Sequence, residues 1–230
     1  MHNGLHNAST EPELLAGMSA SEFQRLIDDT SVVELPARKV VFSEGLRPTF
    51  LHILLEGTVE LFIRHGRRES CITLVQKNTP FVLAAVVTDA PYLMSARTVT
   101  EARILCIPAG KFRSSLRRDQ GLSIATATAI SEAYRSLVRQ LRSQRLRSAQ
   151  MRLAHYLVGM HEGAGGSGTI QLQISKRRLA SLIGLKPESL SRVFASLSQY
   201  GVHVSGSQIT VQDFRVLEEL SQFDYDIDAE

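Results

Sequence analysis

One stretch constrains this chain more than any other: Ser175–Tyr200, SKRRLASLIGLKPESLSRVFASLSQY. It reads as two short helices joined at Gly184, where a sharp turn between helices needs backbone that glycine adopts freely. Pro187 stands at the first position of the second helix, where its missing N–H costs nothing. Leu190, Val193, Phe194 and Leu197 fall at i, i+3, i+4 and i+7, an apolar stripe for packing. Glu188, Ser191 and Arg192 fall at i, i+3 and i+4 on the other side, a compact polar stripe. A helix entered through a tight turn and exposing short base-edge readers is what a DNA major groove requires.

Charge points the same way. The formal net charge is only +3, but Arg135–Arg192 carries 11 Lys/Arg against two Asp/Glu, a local +9 that leaves −6 on the remainder. Such segregation is the footprint of a polyanion partner, or else a solvated helix face. A hydrophobic fraction of 43% supports a packed core rather than global disorder. Only Cys71 and Cys106 are present, so a disulfide framework is not expected and the cytoplasm is the natural compartment. The first 20 residues lack the basic start and apolar run of a signal peptide. The longest apolar run, Phe81–Val87, is far short of the roughly 18 residues a membrane span needs.

Along the chain, residues 1–18 are polar and read as a loose arm. Ser19–Ile27 reads as a short helix, capped by Ser19 or Ser21. Short strand-like runs follow at Val40–Phe42, Phe50–Leu55, Thr58–Arg64, Cys71–Val75, Tyr92–Val99 and Arg103–Ile107. Glu44-Gly45, Glu56-Gly57 and His65-Gly66-Arg67 mark the turns. Within Thr58–Arg64, Val59, Leu61 and Ile63 alternate with Thr58, Glu60 and Arg64, a half-buried strand. Many short strands with glycine turns imply a small barrel or sandwich.

Pro108–Leu116 then reads as a helical turn, and Asp119–Arg145 as a long helix. In it Ala127, Ile130, Tyr134, Leu137 and Leu141 repeat at 3-4-3-4 spacing, the narrow seam of a paired helix. The reading is a homodimer through this seam; a helix buried in its own chain calls for a broader apolar face. Ser148–Met160 forms another helix, packing through Met151, Leu153, Ala154, Leu157 and Val158. A glycine-rich loop, Gly163–Gly168, and a strand, Ile170–Ile174, lead into the two-helix unit. A hairpin, Val202–Val211, turns at Ser205-Gly206 and completes a winged helix-turn-helix.

Barrel, long helix and winged helix-turn-helix together resemble the cyclic-AMP receptor/fumarate-nitrate reduction regulator (CRP/FNR) superfamily of bacterial transcription factors. The resemblance covers about residues 20–217. It is strongest in ISKRRLASLIGLKPESLSRVFASLSQYGV and in the wing GSQITV, where Glu188, Ser191 and Arg192 match the family's E-x-x-S-R. LKPESLSR is similar to the nitric-oxide-responsive denitrification regulators. The resemblance implies an α+β fold. Its parts are an arm over 1–18, an effector-sensing β-roll (a cyclic-nucleotide-binding-like jelly roll) over 19–117, a dimerisation helix over 118–145, a winged helix-turn-helix over 146–217 and an acidic tail over 218–230.

The chemistry of the motif fits. Arg192 suits guanine O6/N7, Glu188 suits cytosine N4, and Ser191 serves either. The resemblance puts Ser175, Lys176 and Arg177 at phosphates, with Lys186 and Ser189 beside them, and backbone N–H groups add to that pull. Pro187 stands where cyclic-AMP-receptor-like members place a guanine-reading arginine. With Ser191, this points to the fumarate-nitrate branch and to an inverted pair of TTGAT-like half-sites. RNA polymerase is the further partner the family implies.

Nucleotide-binding members hold a cyclic phosphate with a Gly-Glu pair and a downstream Arg-Ser/Thr-Ala. Here the corresponding residues are Thr79–Ala85 and Met94-Ser95-Ala96, without the Glu or the Arg, so no cyclic AMP is expected. The family's iron–sulfur cluster needs clustered N-terminal cysteines, and residues 1–70 have none. There remain haem or nitric-oxide sensing, another small effector, or no ligand. His52 and His65 are the candidate haem ligands, with Cys71 and Cys106 behind them; each also reads as an ordinary packing or surface residue, as His155 does.

The leading function is a homodimeric DNA-binding transcriptional regulator with no enzymatic activity, since no G-x-S-x-G, H-E-x-x-H, P-loop string or compact Cys/His spacing occurs. The alternatives are a cyclic-nucleotide-like effector-responsive regulator of the same fold, or an effector-binding module acting on a protein.

Overall fold

The computed structural model describes residues 12–66, 68–163 and 168–222. The chain divides into two compact units, at Tyr134/Arg135. The first opens with α1 (Glu13–Ala16) and α2 (Ala20–Ile27). Leu14 and Leu15 are buried in the core, so residues 12–18 are not a loose arm; residues 1–11 lie outside the described part. Ser19 occupies the cap of α2, but its hydroxyl does not cap it. Its N–H and Oγ instead donate to Asp119 Oδ2, at 2.9 and 2.8 Å.

The roll then runs β1 (Ser31–Leu35), β2 (Val40–Phe42), β3 (Phe50–Glu56), β4 (Val59–His65), β5 (Arg68–Val75), β6 (Pro80–Phe81), α3 (Leu83–Thr88), β7 (Ser95–Thr98), β8 (Ala102–Pro108) and α4 (Ala109–Arg118). Two antiparallel four-stranded sheets result, ordered β1-β8-β3-β6 and β2-β7-β4-β5. Leu54, Val59, Leu61, Ala96 and Ile104 meet in the core that the sheets share. The first sheet buries its other face too. Leu51, Ile53 and Leu55 pack with Leu15, Leu26, Phe112 and Leu122 of the helices. That is why β3 is buried continuously from Leu51 to Leu55 rather than at alternate positions.

β4 departs from the expected alternation. Val59 and Leu61 point inward, but Ile63 is 39% exposed and Glu60 only 2%. β5 inserts an extra residue opposite Leu61/Phe62, and Arg97 of β7 covers Glu60. Two short elements, β1 and β6, and helix α3 went unnoticed in the sequence, since none is long enough to show a period. Gly45, Gly57 and Gly66 take left-handed φ at the expected turns, and Arg67 lies outside the described residues.

Helix α5 (Gln120–Leu146) begins at Asp119, whose Oδ1 accepts the Leu122 N–H at 2.8 Å. This bond and those from Ser19 hold the Asp119 carboxyl below its ordinary value. Near its start, Leu122 and Thr126 are buried and Ile130 packs partly on the helix-covered core. Ile130 is therefore not a free member of the seam. Ala127, Tyr134, Leu137 and Leu141 are exposed, joined by Ile124 and Val138.

The second unit holds α6 (Ala149–Gly163), β9 (Thr169–Gln171), α7 (Lys176–Leu182), α8 (Pro187–Leu197), a 3₁₀ turn (Ser198–Tyr200), β10 (Val202–Ser205), β11 (Gln208–Val211) and α9 (Phe214–Ser221). The strands form one antiparallel sheet, ordered β10-β11-β9. Leu153, Ala154, Leu157 and Val158 are buried on α6, while Met151 is half-buried. Gly163 still belongs to α6, and residues 164–167 of the expected loop lie outside the described part. The acidic tail starts later than position 218, because α9 packs Leu217 and Ser221 inside and its Phe214 ring stacks on His161 with centroids 3.5 Å apart. Residues 223–230 lie outside the described part.

Candidate nucleic-acid interface

Ser175 caps α7, its hydroxyl oxygen accepting the Arg178 N–H at 3.4 Å. The hydroxyl hydrogen stays available, and Lys176 and Arg177 beside it are exposed. Leu179 and Ala180 bury the opposite face. The turn to α8 passes through Gly184 at φ +67 and is closed by Leu185 N–H donating to Ala180 O at 2.7 Å. Residues with a Cβ rarely take this φ, so the turn requires glycine.

Lys186 is the cap residue of α8, without a side-chain cap bond, and its carbonyl accepts the N–H groups of Ser189 and Leu190 at 3.0 Å each. Pro187 follows at the first helical position, as expected. Leu190, Phe194 and Leu197 are buried and Val193 is half-buried, which fixes the rotation of the helix. Glu188, Ser191 and Arg192 are therefore exposed together, with Lys186 exposed and Ser189 half-buried at the near end. Neither Glu188 nor Arg192 forms an ion pair among the described residues, so no neighbouring charge there holds either head. Lys176 Nζ lies 5.9 Å from the Phe194 ring centroid, which holds the first helix's cation beside the second helix. The hairpin turns at Gly206, φ +60, and pairs Val202 with Val211 and Ser205 with Gln208.

Arg152 is a residue that sequence reasoning missed. From α6 its Nε donates to Ile183 O at 2.8 Å and its guanidinium also to Arg147 O at 2.7 Å. It satisfies the carbonyl at the end of α7 and so sets the turn before the reading helix. Burial lowers its pKa. One more arginine in a basic segment carries no signal that would single it out.

The roll is built differently. A cavity of about 540 Å³ is lined by Val40, Ser43, Glu44, Gly45, Phe62, Arg64 and Ser95. Ser95 Oγ accepts the Glu44 N–H at 2.9 Å. In the stretch aligned with the nucleotide site, Leu83 and Ala84 open α3 and Met94 precedes Ser95, so neither Glu nor Arg stands there. Arg97, next after Ala96 on β7, is engaged: it donates to Glu60 at 2.8 Å and to Glu69 at 3.1 Å, while Glu69 also accepts from Arg64 of the cavity lining.

The two candidate haem histidines lie on different sheets of the roll. His65 is exposed at the β4–β5 hairpin tip and pairs in register with Arg68. His52 sits on the other sheet among Phe42, Phe50 and Phe81, and burial pushes it down to about 4. Neither lines the cavity. Cys71 and Cys106 are buried and not joined in a disulfide, and burial pushes Cys106 up to about 11, away from the thiolate a metal takes. No group of three or more His, Cys, Asp or Glu suited to a metal occurs among the described residues. His155 is half-buried on α6.

Two family models match this arrangement: the cyclic nucleotide-binding domain over residues 32–119 and the Crp-like helix-turn-helix domain over residues 151–220. The chain belongs to the CRP/FNR family. It is a CRP-like DNA-binding transcriptional regulator with a cyclic-nucleotide-binding-like domain. It is 24% identical over 214 residues to a CRP-like cAMP-activated global transcriptional regulator of Mycobacterium tuberculosis, covering 87% of this chain and 92% of that one. A CRP/FNR-family transcriptional regulator from Eubacterium rectale has the same fold, with a TM-score of 0.76 at 16% identity, over 94% of this chain and 100% of the other. FixK2 of Bradyrhizobium japonicum superposes with a TM-score of 0.74 at 15% identity, over 85% and 98%. Among the described residues no helix is long and apolar enough to cross a membrane.

Proposed function

We propose that this regulator acts as a homodimer on a palindromic TTGAT-like site, with one α8 in the major groove of each half-site. The observation that carries the reading is the joint exposure of Glu188, Ser191 and Arg192 on a helix whose other face is locked by Leu190, Phe194 and Leu197. Arg192 takes guanine O6/N7, Glu188 a cytosine amine, and Ser191 either neighbour. Ser175, Lys176, Arg177, Lys186 and Ser189 hold phosphates and set the register. The exposed line of Tyr134, Leu137 and Leu141, 54–68% accessible on one helix, supplies the two-fold seam that a palindrome needs. RNA polymerase is the downstream partner that family resemblance suggests.

The signal we assign to the roll is a small polar effector other than cyclic AMP, taken into the cavity bounded by Ser95, Glu44 and Arg64. A cyclic phosphate seated there would lack the Glu and Arg of the nucleotide-binding pattern and would meet an Arg64 already bonded to Glu69. The nitric-oxide reading rests on LKPESLSR alone.

Fluorescence anisotropy with a TTGAT palindrome and a scrambled duplex, run with light scattering for mass, tests the first part. Competitor-resistant binding by a species of twice the chain mass supports it; equal binding to both duplexes refutes it. Calorimetric titration with cyclic AMP, and an absorption spectrum with added haem, test the second. Stoichiometric cyclic AMP binding or a Soret band refutes it.

A further inference from the structure

Of the residues that bound the cavity of the roll, only Glu44 and Arg64 are charged. Arg64 is already balanced. Its Nε and Nη2 both donate to Glu69 Oε1, Glu69 Oε2 accepts from Arg97, and Arg97 in turn donates to Glu60. Arginines and glutamates alternate along that line, so their charges cancel. Glu44 is exposed and makes no ion pair among the described residues. One uncompensated charge therefore remains on the lining, and it is negative.

A buried donor lies beside that charge. Ser95 is 9% exposed and lines the same cavity. Its Oγ accepts the Glu44 N–H at 2.9 Å, while its hydroxyl hydrogen has no acceptor among the described residues. A buried donor without an acceptor is unfavourable, and a ligand that supplies one relieves it. Because the Ser95 hydroxyl is bonded to the backbone of Glu44, donor and carboxylate lie within one side chain's length of each other. Ser43 adds a second, exposed hydroxyl, and Val40 and Phe62 supply an apolar wall. The volume, about 540 Å³, is in the range of small-molecule sites.

Resting on the reading of this cavity as the effector site, we infer that its ligand is a small aliphatic amine, bound as the ammonium ion and carrying a hydrogen-bond acceptor a few atoms from the nitrogen. The ammonium faces the Glu44 carboxylate, the acceptor takes the Ser95 hydroxyl hydrogen, and the aliphatic part lies on Val40 and Phe62. An aliphatic amine is protonated at neutral pH, as lysine is. An anion in the same place meets the Glu44 charge and finds Nε and Nη2 of Arg64 already spent on Glu69. Glu44 is exposed, so the ion pair by itself is weak and screened by salt; the buried hydroxyl supplies the selectivity among amines.

Titration of the full-length, nitrogen-15-labelled protein with ethanolamine, ethylamine and acetate at one fixed ionic strength tests this, read by the amide resonances of Glu44, Gly45 and Phe62. Ethanolamine should shift all three with a dissociation constant on the order of 1 mM, the range open to four non-hydrogen atoms. Ethylamine, which lacks the acceptor, should bind about fivefold more weakly. Acetate should leave the three resonances in place. Glu44→Gln should weaken ethanolamine about tenfold, with the melting temperature of the free protein unchanged, and Glu44→Asp, which keeps the charge, should retain binding. Equal binding of ethanolamine by the wild-type and Glu44→Gln proteins overturns the proposal. A stronger response to acetate also overturns it, but keeps the cavity as an effector site of opposite preference. No shift with any of the three compounds overturns both the amine and the cavity that was to hold it.

Discussion

The roll and the winged helix-turn-helix treat their charges in opposite ways. In the roll, Glu60, Arg97, Glu69 and Arg64 form a chain of ion pairs, Glu22 is shared by Arg25 and Arg118, and Arg103 faces Glu34 and Glu56. In the DNA-binding unit, Lys176, Arg177, Lys186 and Arg192 stand exposed and without an ion pair among the described residues. A paired charge satisfies the frame that holds it, whereas an unpaired cation keeps its attraction for an outside anion. The unpaired cations of α7 and α8 are therefore the ones that the proposed DNA contact uses, and the paired ones of the roll belong to its scaffold.

The sharpest way to break that contrast is to remove one arginine from each side. Arg97→Met leaves Glu60, 2% exposed, facing a thioether. Removing the arginine partner of a buried carboxylate should lower roll stability by about 3 kcal/mol in urea unfolding, and adding Glu60→Leu should restore most of it. Arg192→Met in the recognition helix should shift stability by no more than ~0.5 kcal/mol. Equal shifts for the two would erase the distinction.

A second test uses pH. Burial holds His52 neutral down to about 4, while an unfolded histidine titrates near 6.5. Between those values the unfolded chain carries a proton that the folded one does not, so the roll loses stability as pH falls from 6.5 towards 4. The loss approaches about 3 kcal/mol at the lower end. His52→Leu should flatten that part of the stability profile; an unaltered slope would show that His52 is not the titrating group.

On the DNA side, Arg192→Ala should relax discrimination at one guanine by about 1–3 kcal/mol and leave most nonspecific affinity, because phosphates supply that term. A competition series over every base at each half-site position measures it. Equal losses on specific and random duplexes would remove Arg192 from base reading.

How much of this was legible follows from where each signal lives. The α7–α8 unit was read nearly residue by residue, because helical period, Gly184 and Pro187 are local and agree with one another. The strands were found but Glu60 was placed wrongly, since a carboxylate at an outward position looks solvated until the strand bearing Arg97 is known to lie beside it. Ile130 was assigned to the seam for the same reason: spacing gives a face, and only tertiary packing says that the barrel takes part of it. His52 is the clearest case. One histidine in an apolar run reads equally as ligand or filler, and the three phenylalanines around it come from β2, β3 and β6.

The finest test separates two kinds of open charge within the DNA unit itself. Lys176 lies at the start of α7, outside the stripe of base readers, and is held 5.9 Å from the Phe194 ring rather than by a carboxylate. In the proposed complex a cation there meets phosphate, whose position does not depend on sequence. Lys176→Ala should therefore weaken binding to the palindrome and to random DNA by the same factor. It should also reduce the slope of log affinity against log salt by about one, the release of one counterion. The lost ring contact should lower stability by no more than ~1 kcal/mol, a shift that melting of the free protein reads separately. An Arg192→Ala protein measured beside it keeps nearly the full salt slope but loses preference. If the two variants gave the same slope and the same preference, the division of this surface into phosphate holders and base readers would fail, even with every charge placed as the structure has it.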